Sequence, residues 1–279
     1  LGLYAPAGSQ VGDVIPDRYI VQFASRTASA VAAASLAENV AAFFTNSVNG
    51  FVADLSPEEV ADLQANPNVV EIEPDRVVGV DTDQAGAPWG LDRIDQRFNP
   101  RDGKYTYTNT GEAVTAYIID TGILSTHTEF TGRVCSGFTA ISDGAGSNDC
   151  HGHGTHVAGT VAGTTYGVAK TAQLVPIRVL SCSGSGSTSG VIAGIEWAIT
   201  NHVAGTPAVA NMSLGGGLSS ALNAAIARAV ADGITMVVAA GNDNANACGV
   251  SPASEPLAIT VGATGSTDAR ASFSNFGSC

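Results

Sequence analysis

Apolar positions along the first eighty residues come in short blocks whose spacing switches between two and about 3.6 residues. Tyr19-Ile20-Val21-Gln22-Phe23 reads as a strand, Ala28 to Phe44 as an alanine-rich helix and Ser47 to Leu55 as a second strand. A second helix is punctuated at both ends. Ser56-Pro57-Glu58-Glu59 supplies an N-cap serine, proline at the first helical position and glutamate at the third, a capping box, and Asn66-Pro67 stops the helix. Val69-Val70-Glu71-Ile72-Glu73 follows as a strand. The predicted order β-α-β-α-β resembles a small ferredoxin-like α+β unit, for which about 80 residues suffice.

Periodicity lapses between Val80 and Pro88, where Asp81-Thr82-Asp83-Gln84-Ala85-Gly86-Ala87 is small and polar. Residues 81–87 are expected to form an exposed linker and processing site, with one domain over 14–80 and another over 88–279. In the second domain short apolar runs alternate with helical patterns. Strands are expected at Val114 to Ile119, Gln173 to Leu180, Ala208 to Met212, Ile234 to Ala239 and Leu257 to Val261. Helices are expected from His153, from Thr188 to Val203 and from Ser219 to Asp232. Uninterrupted apolar strands between helices predict an α/β fold, a parallel sheet with helices on both faces. Ligands of such sheets sit beyond the carboxyl ends of the strands.

Charge narrows the function. Of 279 residues only 13% are charged, and 12 Lys and Arg stand against 25 Asp and Glu, a net charge of −13. Residues 1–81 are the more acidic part, with 3 basic and 11 acidic side chains. This balance argues against nucleic acid and anionic membranes as partners, and no apolar run reaches the 18 residues of a spanning helix. Leu1 without a basic and apolar leader, and the loop-like Phe276-Gly277-Ser278 before Cys279, lead to the expectation that both ends are cut.

Two clusters carry chemistry. Asp120 follows the apolar run Ala116-Tyr117-Ile118-Ile119 and precedes Thr121-Gly122, which places a carboxylate where a buried strand emerges. By itself such an Asp serves equally as a turn cap. Asp149-Cys150-His151-Gly152-His153-Gly154-Thr155-His156 puts three histidines within six residues. Three readings compete: a metal site, although the spacing matches no zinc pattern; a structural cluster; and a general base oriented by Asp120.

Asp120-Thr121-Gly122 and Gly152-His153-Gly154-Thr155-His156-Val157-Ala158-Gly159-Thr160 resemble the Asp and His motifs of the subtilisin-like serine proteases, peptidase family S8. Ala87-Pro88-Trp89-Gly90-Leu91, Arg178-Val179-Leu180 with Gly184-Ser185-Gly186, Asn211-Met212-Ser213-Leu214-Gly215-Gly216, Ala239-Ala240-Gly241-Asn242 and Ser251-Pro252-Ala253-Ser254 are similar to its proteinase K branch. The cysteine placement is similar to the aqualysin-like members, and residues 14–80 to the family's inhibitory propeptide, of inhibitor I9 type. The resemblance implies that Asp120 orients His153, the general base, in the chain order Asp, His, Ser. It makes Asn242 the oxyanion donor and His156 a structural histidine. Gly184, Ser185 and Gly186 with Ser213, Leu214 and Gly215 become the two edges that hold a peptide as an added strand. His151 is expected to be an exposed neighbour able to shift the pH profile of the base. Asn211 begins the chain's N-x-[ST] sequon and is expected to be unglycosylated at the end of a buried strand.

The same resemblance implies disulfides Cys150–Cys182 and Cys248–Cys279 with Cys135 free, and an oxidising, extracellular destination for a secreted monomer. It implies a partial calcium site at the Pro256 and Ala258 carbonyls; separately, Asp92, Asp95 and Gln96 share one face of a helical turn and offer oxygen ligands of the kind Ca²⁺ prefers, though a solvated acidic face reads as well. Its nucleophile motif, Gly-Thr-Ser-Met-Ala, is not found after Asn242, and none of Ser251, Ser254, Ser266, Ser272, Ser274 and Ser278 matches it. The chain is therefore expected to be a partial secreted endopeptidase zymogen acting on protein or peptide substrates, with its own propeptide as intramolecular inhibitor. The alternative is a truncated, non-catalytic binder that inhibits a related protease.

Overall fold

The computed structural model describes residue 6 and residues 13–77 and 82–279. Asp81 of the expected linker and residues 78–80 lie outside the described residues. The chain divides into two compact units, 1–81 and 82–279.

In the first unit the elements are β1 (Val14–Phe23), α1 (Arg26–Ser35), β2 (Val40–Phe44), β3 (Gly50–Asp54), α2 (Pro57–Gln64) and β4 (Val69–Arg76). They form an antiparallel sheet in the order β2-β3-β1-β4, the ferredoxin-like arrangement. The capping box is present, with Glu59 N donating to Ser56 Oγ and Ser56 N donating to Glu59 Oε2. The helix expected over Ala28 to Phe44 is instead α1 followed by β2. Val40 and Phe44 have the β-branched and aromatic side chains that suit a strand, and β2 pairs with β3 from Val40↔Ala53 to Phe44↔Gly50. An alanine run with no glycine or proline hid the break, so the order is β-α-β-β-α-β.

The second unit contains β5 (Thr82–Ala85), α3 (Trp89–Ile94), β6 (Lys104–Tyr107), β7 (Thr115–Asp120), β8 (Phe138–Thr139), α4 (His153–Ala162), β9 (Gln173–Arg178), α5 (Thr188–Asn201), β10 (Ala208–Met212), β11 (Gly216–Gly217), α6 (Ser220–Asp232), β12 (Ile234–Ala239), β13 (Val250–Ser251) and β14 (Ile259–Val261). Six of these strands make one parallel sheet in the order β14-β12-β10-β7-β9-β8. Alternation decides which side chains meet which helices. Tyr117 and Ile119 of β7 pack with Ile195 of α5 and Ile226 of α6, whereas Ala116 and Ile118 pack on the other face with Ala158 and Ala162 of α4. Part of the expected linker is a strand: β5 pairs with β6, and Asp83 accepts hydrogen bonds from Lys104 Nζ at 2.7 Å and Thr106 Oγ1 at 2.9 Å. This ladder is held by polar pairs, so apolar periodicity could not signal it.

One contact predicts a pH dependence. His202, which ends α5, donates from Nδ1 to Asp232 Oδ2 at 2.8 Å and from Nε2 to the Thr206 carbonyl at 3.0 Å, so both ring nitrogens face acceptors. The Thr206 carbonyl and then the Asp232 carboxylate raise the imidazole above its ordinary 6.5. A raised folded value stabilises fully below 6.5 and is lost as pH rises through it. The melting temperature is expected to fall on the alkaline side of 6.5, with a shallower slope in His202→Gln, measured by thermal unfolding across pH.

Candidate active site

Period two along β7 places Asp120 on the same face as Ala116 and Ile118, the face covered by α4, whose first residue is His153. β7 is also where the strand order reverses, with β9 and β8 to one side and β10, β12 and β14 to the other. Asp120, fully buried, and His153, with a side chain 44% exposed, meet there: Nδ1 of His153 donates to Asp120 Oδ1 at 2.7 Å. A carboxylate only accepts, so Nδ1 carries a proton, and in the neutral ring Nε2 is the nitrogen that holds the lone pair. Thr121 N donates to the same Oδ1 at 2.7 Å. The pair needs a close approach of backbones. A Cβ on Gly154 would overlap the Gly122 carbonyl oxygen. Gly154→Ala is therefore expected to push α4 off the Asp120 turn and to break the 2.7 Å contact, read as loss of the low-field His153 Nδ1 proton resonance with folding checked by circular dichroism.

His153 borders a cavity of about 510 Å³ whose walls include Ser183 to Thr188 on one side and Ser213 to Gly217 on the other. Gly184, Ser185, Gly186, Ser213, Leu214 and Gly215 are all in that wall, and its ionisable members are His151 and His153. The first edge is a tight turn, with Ser181 N donating to the Ser185 carbonyl at 2.8 Å and Gly184 at φ +77°. A side chain at Gly184 would also press on His151, whose Nε2 lies 3.0 Å from the Cβ position. Asn242 follows β12 and borders a second cavity that shares Ser213 to Gly217 with the first. Its loop is pinned by a residue that the sequence did not single out. Asn275, 3% exposed, accepts from Asp243 N and Ala245 N and donates to the Ala240 carbonyl, each at 2.9 Å.

The other sequence-derived residues are placed as follows. His151 and His156 are exposed, and His153 N donates to His151 Nδ1 at 3.3 Å. Asn211 lies inside β10, paired on both sides, with Nδ2 donating to Ser213 Oγ. Both disulfides implied by the resemblance are bonded, and Cys135 is free and exposed. Cys150–Cys182 joins the loop before α4 to the edge at Ser183. Beneath it lies Arg178, fully buried, donating to Asp143 and towards both sulfurs. The Arg178 guanidinium holds the Asp143 carboxyl down at about 2. Although Asp143, Cys150 and Cys182 cluster, the disulfide leaves no thiolate for a metal.

Three of the serine hydroxyls that follow Asn242 are committed elsewhere. Ser251 donates to Asn223 Oδ1, Ser254 accepts from Asn223 Nδ2, and Ser274 bridges Ala263 N and the Asn275 carbonyl. Ser266, Ser272 and Ser278 are exposed. Among the described residues no serine hydroxyl bonds to His153, whose partners are Asp120 and His151.

The residues expected to hold calcium have the following surroundings. Asp92, 5% exposed, accepts from Gln96 Nε2 and from the backbone of Asp102 and Gly103, while Asp95 Oδ2 accepts from Thr106 N. Among the described residues Asp95 Oδ1 is buried without a partner, a hard oxygen of the kind Ca²⁺ prefers. Pro256 and Ala258 lie in the turn leading into β14. Among the described residues no helix is long and apolar enough to cross a membrane.

The family model described as "Subtilase family" (peptidase S8) matches residues 111–279, and that described as "Peptidase inhibitor I9" matches residues 18–81. The "Extracellular serine proteinase" of Thermus sp. (strain Rt41A) is 57% identical over 236 residues, covering 85% of this chain and 57% of that protein. "Alkaline serine exoprotease A" of Vibrio alginolyticus is 55% identical over 246 residues, covering 86% and 46%. The chain thus spans about half the length of these curated relatives. A crystal structure of a cold adapted subtilisin-like serine proteinase aligns with a TM-score of 0.68 at 55% identity, covering 70% of this chain and 71% of that one. Since the subtilase match extends over more than half of its length, with the inhibitor-type match before it, this chain belongs to the subtilase family.

Proposed function

We propose that this chain is the propeptide and most of the catalytic domain of a secreted serine endopeptidase, in which Asp120 orients His153 and His153 takes a proton from a serine supplied by sequence outside these 279 residues. The observation that carries the reading is the 2.7 Å Asp120–His153 hydrogen bond at the carboxyl end of the sheet, which leaves Nε2 as the free base. Attack by the serine oxygen on a peptide carbonyl would build negative charge on the carbonyl oxygen, which the Asn242 amide would receive as a donor. A substrate strand would lie between the edges at Gly184, Ser185, Gly186 and Ser213, Leu214, Gly215, bonding through its main chain. Exposed apolar side chains at the sheet edge, Ile259 and Val261 of β14, support the view that further chain covers them. Residues 14–80 would serve as intramolecular inhibitor, with processing within 81–87, and the product would act as an extracellular monomer.

Where calcium is bound, it would be held by Asp92, Asp95 and Gln96 and would neutralise the buried Asp95 oxygen. The Pro256 and Ala258 carbonyls would contribute to a second site. Active-site labelling tests the reading. A fluorophosphonate is expected to label the complete gene product, but neither its His153→Ala variant nor the 279-residue chain. An in-frame stop directly after Cys279, with no labelling, would overturn it in favour of a non-catalytic binder.

A further inference from the structure

Asp149 takes no part in the proton transfers above, yet its carboxylate is the most heavily bonded group beside His153. The N-cap of α4 is Gly152, which has no side chain to offer the first turn. Asp149, only 8% exposed, reaches in from three residues upstream. Its Oδ1 accepts from His151 N and Gly152 N, each at 2.8 Å, and its Oδ2 accepts from Thr155 N at 2.9 Å and Thr155 Oγ1 at 2.5 Å. A fifth donor comes from the other side of the site: Thr121 Oγ1 donates to Asp149 Oδ1 at 2.9 Å while accepting from Gly154 N at 2.8 Å. Thr121 is the residue whose own backbone N–H holds Asp120 Oδ1.

We propose that Asp149 is a positioning residue: its carboxylate clamps the end of β7, through Thr121, to the first turn of α4, and so sets the contact between Asp120 and His153. The proposal rests on the reading of those two residues as orienting acid and base. The arrangement requires the ionised form, since all five partners are donors. Burial pushes the Asp149 carboxyl up, but the hydrogen bonds from Thr155, Gly152 and His151 outweigh it and leave the group below its ordinary value. An amide cannot substitute, because its NH₂ would face donors where a carboxylate oxygen now accepts.

The test reads the contact without turnover. In the 279-residue chain labelled with ¹⁵N-histidine, two Nδ1 protons bonded to carboxylates are expected at low field, from His153 on Asp120 and from His202 on Asp232, at 2.7 and 2.8 Å. In Asp149→Asn the His153 resonance is expected to move upfield or broaden away while that of His202 stays, since His202 reports on the fold at the far end of α5. Both resonances unchanged would overturn the proposal. If Asp149→Asn loses both, Thr121→Val decides, because it removes a single hydroxyl: loss of the His153 resonance alone supports the clamp, and its retention sinks it. Thr121→Ser, which keeps the hydroxyl, is expected to restore the signal. In the complete protein Asp149→Asn should then lower kcat about 10²-fold with KM little changed. Failure of the resonance test leaves the peptidase reading to the fluorophosphonate label, so the two can fail separately.

Discussion

Replacing Asp120 by asparagine in the complete protein is expected to lower kcat about 10⁴-fold, the size of loss produced when the carboxylate of a serine-protease triad becomes an amide. Asp120 is fully buried, and its Oδ1 accepts from both His153 Nδ1 and Thr121 N. An amide has one oxygen. Where the oxygen keeps the place of Oδ1 the charge that stabilises the imidazolium is lost, and where the NH₂ group takes that place Nδ1 must give up its proton and become an acceptor. The ring proton moves to Nε2, where the base needs a lone pair. The two side chains have nearly the same shape, so the cleft edges and KM should change far less than kcat. Steady-state kinetics on a peptide substrate, with circular dichroism as the folding control, measure this. Wild-type kcat in Asp120→Asn would remove Asp120 from the mechanism.

The second large effect concerns stability. Cys150 and Cys182 are separated by 32 residues, and opening a loop of that length costs about 3 to 4 kcal/mol in the chain-entropy view. For a domain of this size that corresponds to a fall in Tm of roughly 10 °C. Loss of the bond also frees the sulfurs against which the buried Arg178 guanidinium rests. Cys248 and Cys279 are separated by 31 residues, so the same entropy applies there. The two differ in what they hold. Cys150–Cys182 ties the loop before His153 to the edge at Ser183, whereas Cys248–Cys279 ties the short helical turn at Ala247–Gly249 to Cys279. Paired serine replacements in the complete protein should therefore cause similar thermal losses, with KM raised only when Cys150 and Cys182 are replaced.

Legibility differed among elements for physical reasons. β10 and β12 match the expected Ala208 to Met212 and Ile234 to Ala239 residue for residue, because each is a mostly apolar run, broken only by Asn211 and Thr235 and bounded by turns. α2 was equally clear, since its capping box is written in consecutive residues. β2 and β5 were not. Val40–Phe44 is a strand because β3 lies beside it, and Thr82–Ala85 because Lys104 and Thr106 supply partners across the ladder.

The site divides in the same way. Local sequence determined the parallel α/β sheet, the placement of Asp120 at a strand end and of His153 at a helix start, and the glycine that lets them approach, because each depends on neighbours a few residues away. Only the tertiary structure decided what holds them. Asp149 caps α4 from three residues before its N-cap, beyond the reach of a rule that inspects the residue next to the helix, and bonds to Thr121 28 positions earlier. Asn275 pins the Asn242 loop from more than 30 positions away. Such partners are chosen by how the sheet brings strand ends together, and a hydrogen-bond donor or acceptor carries no mark in the sequence of which distant group it will meet.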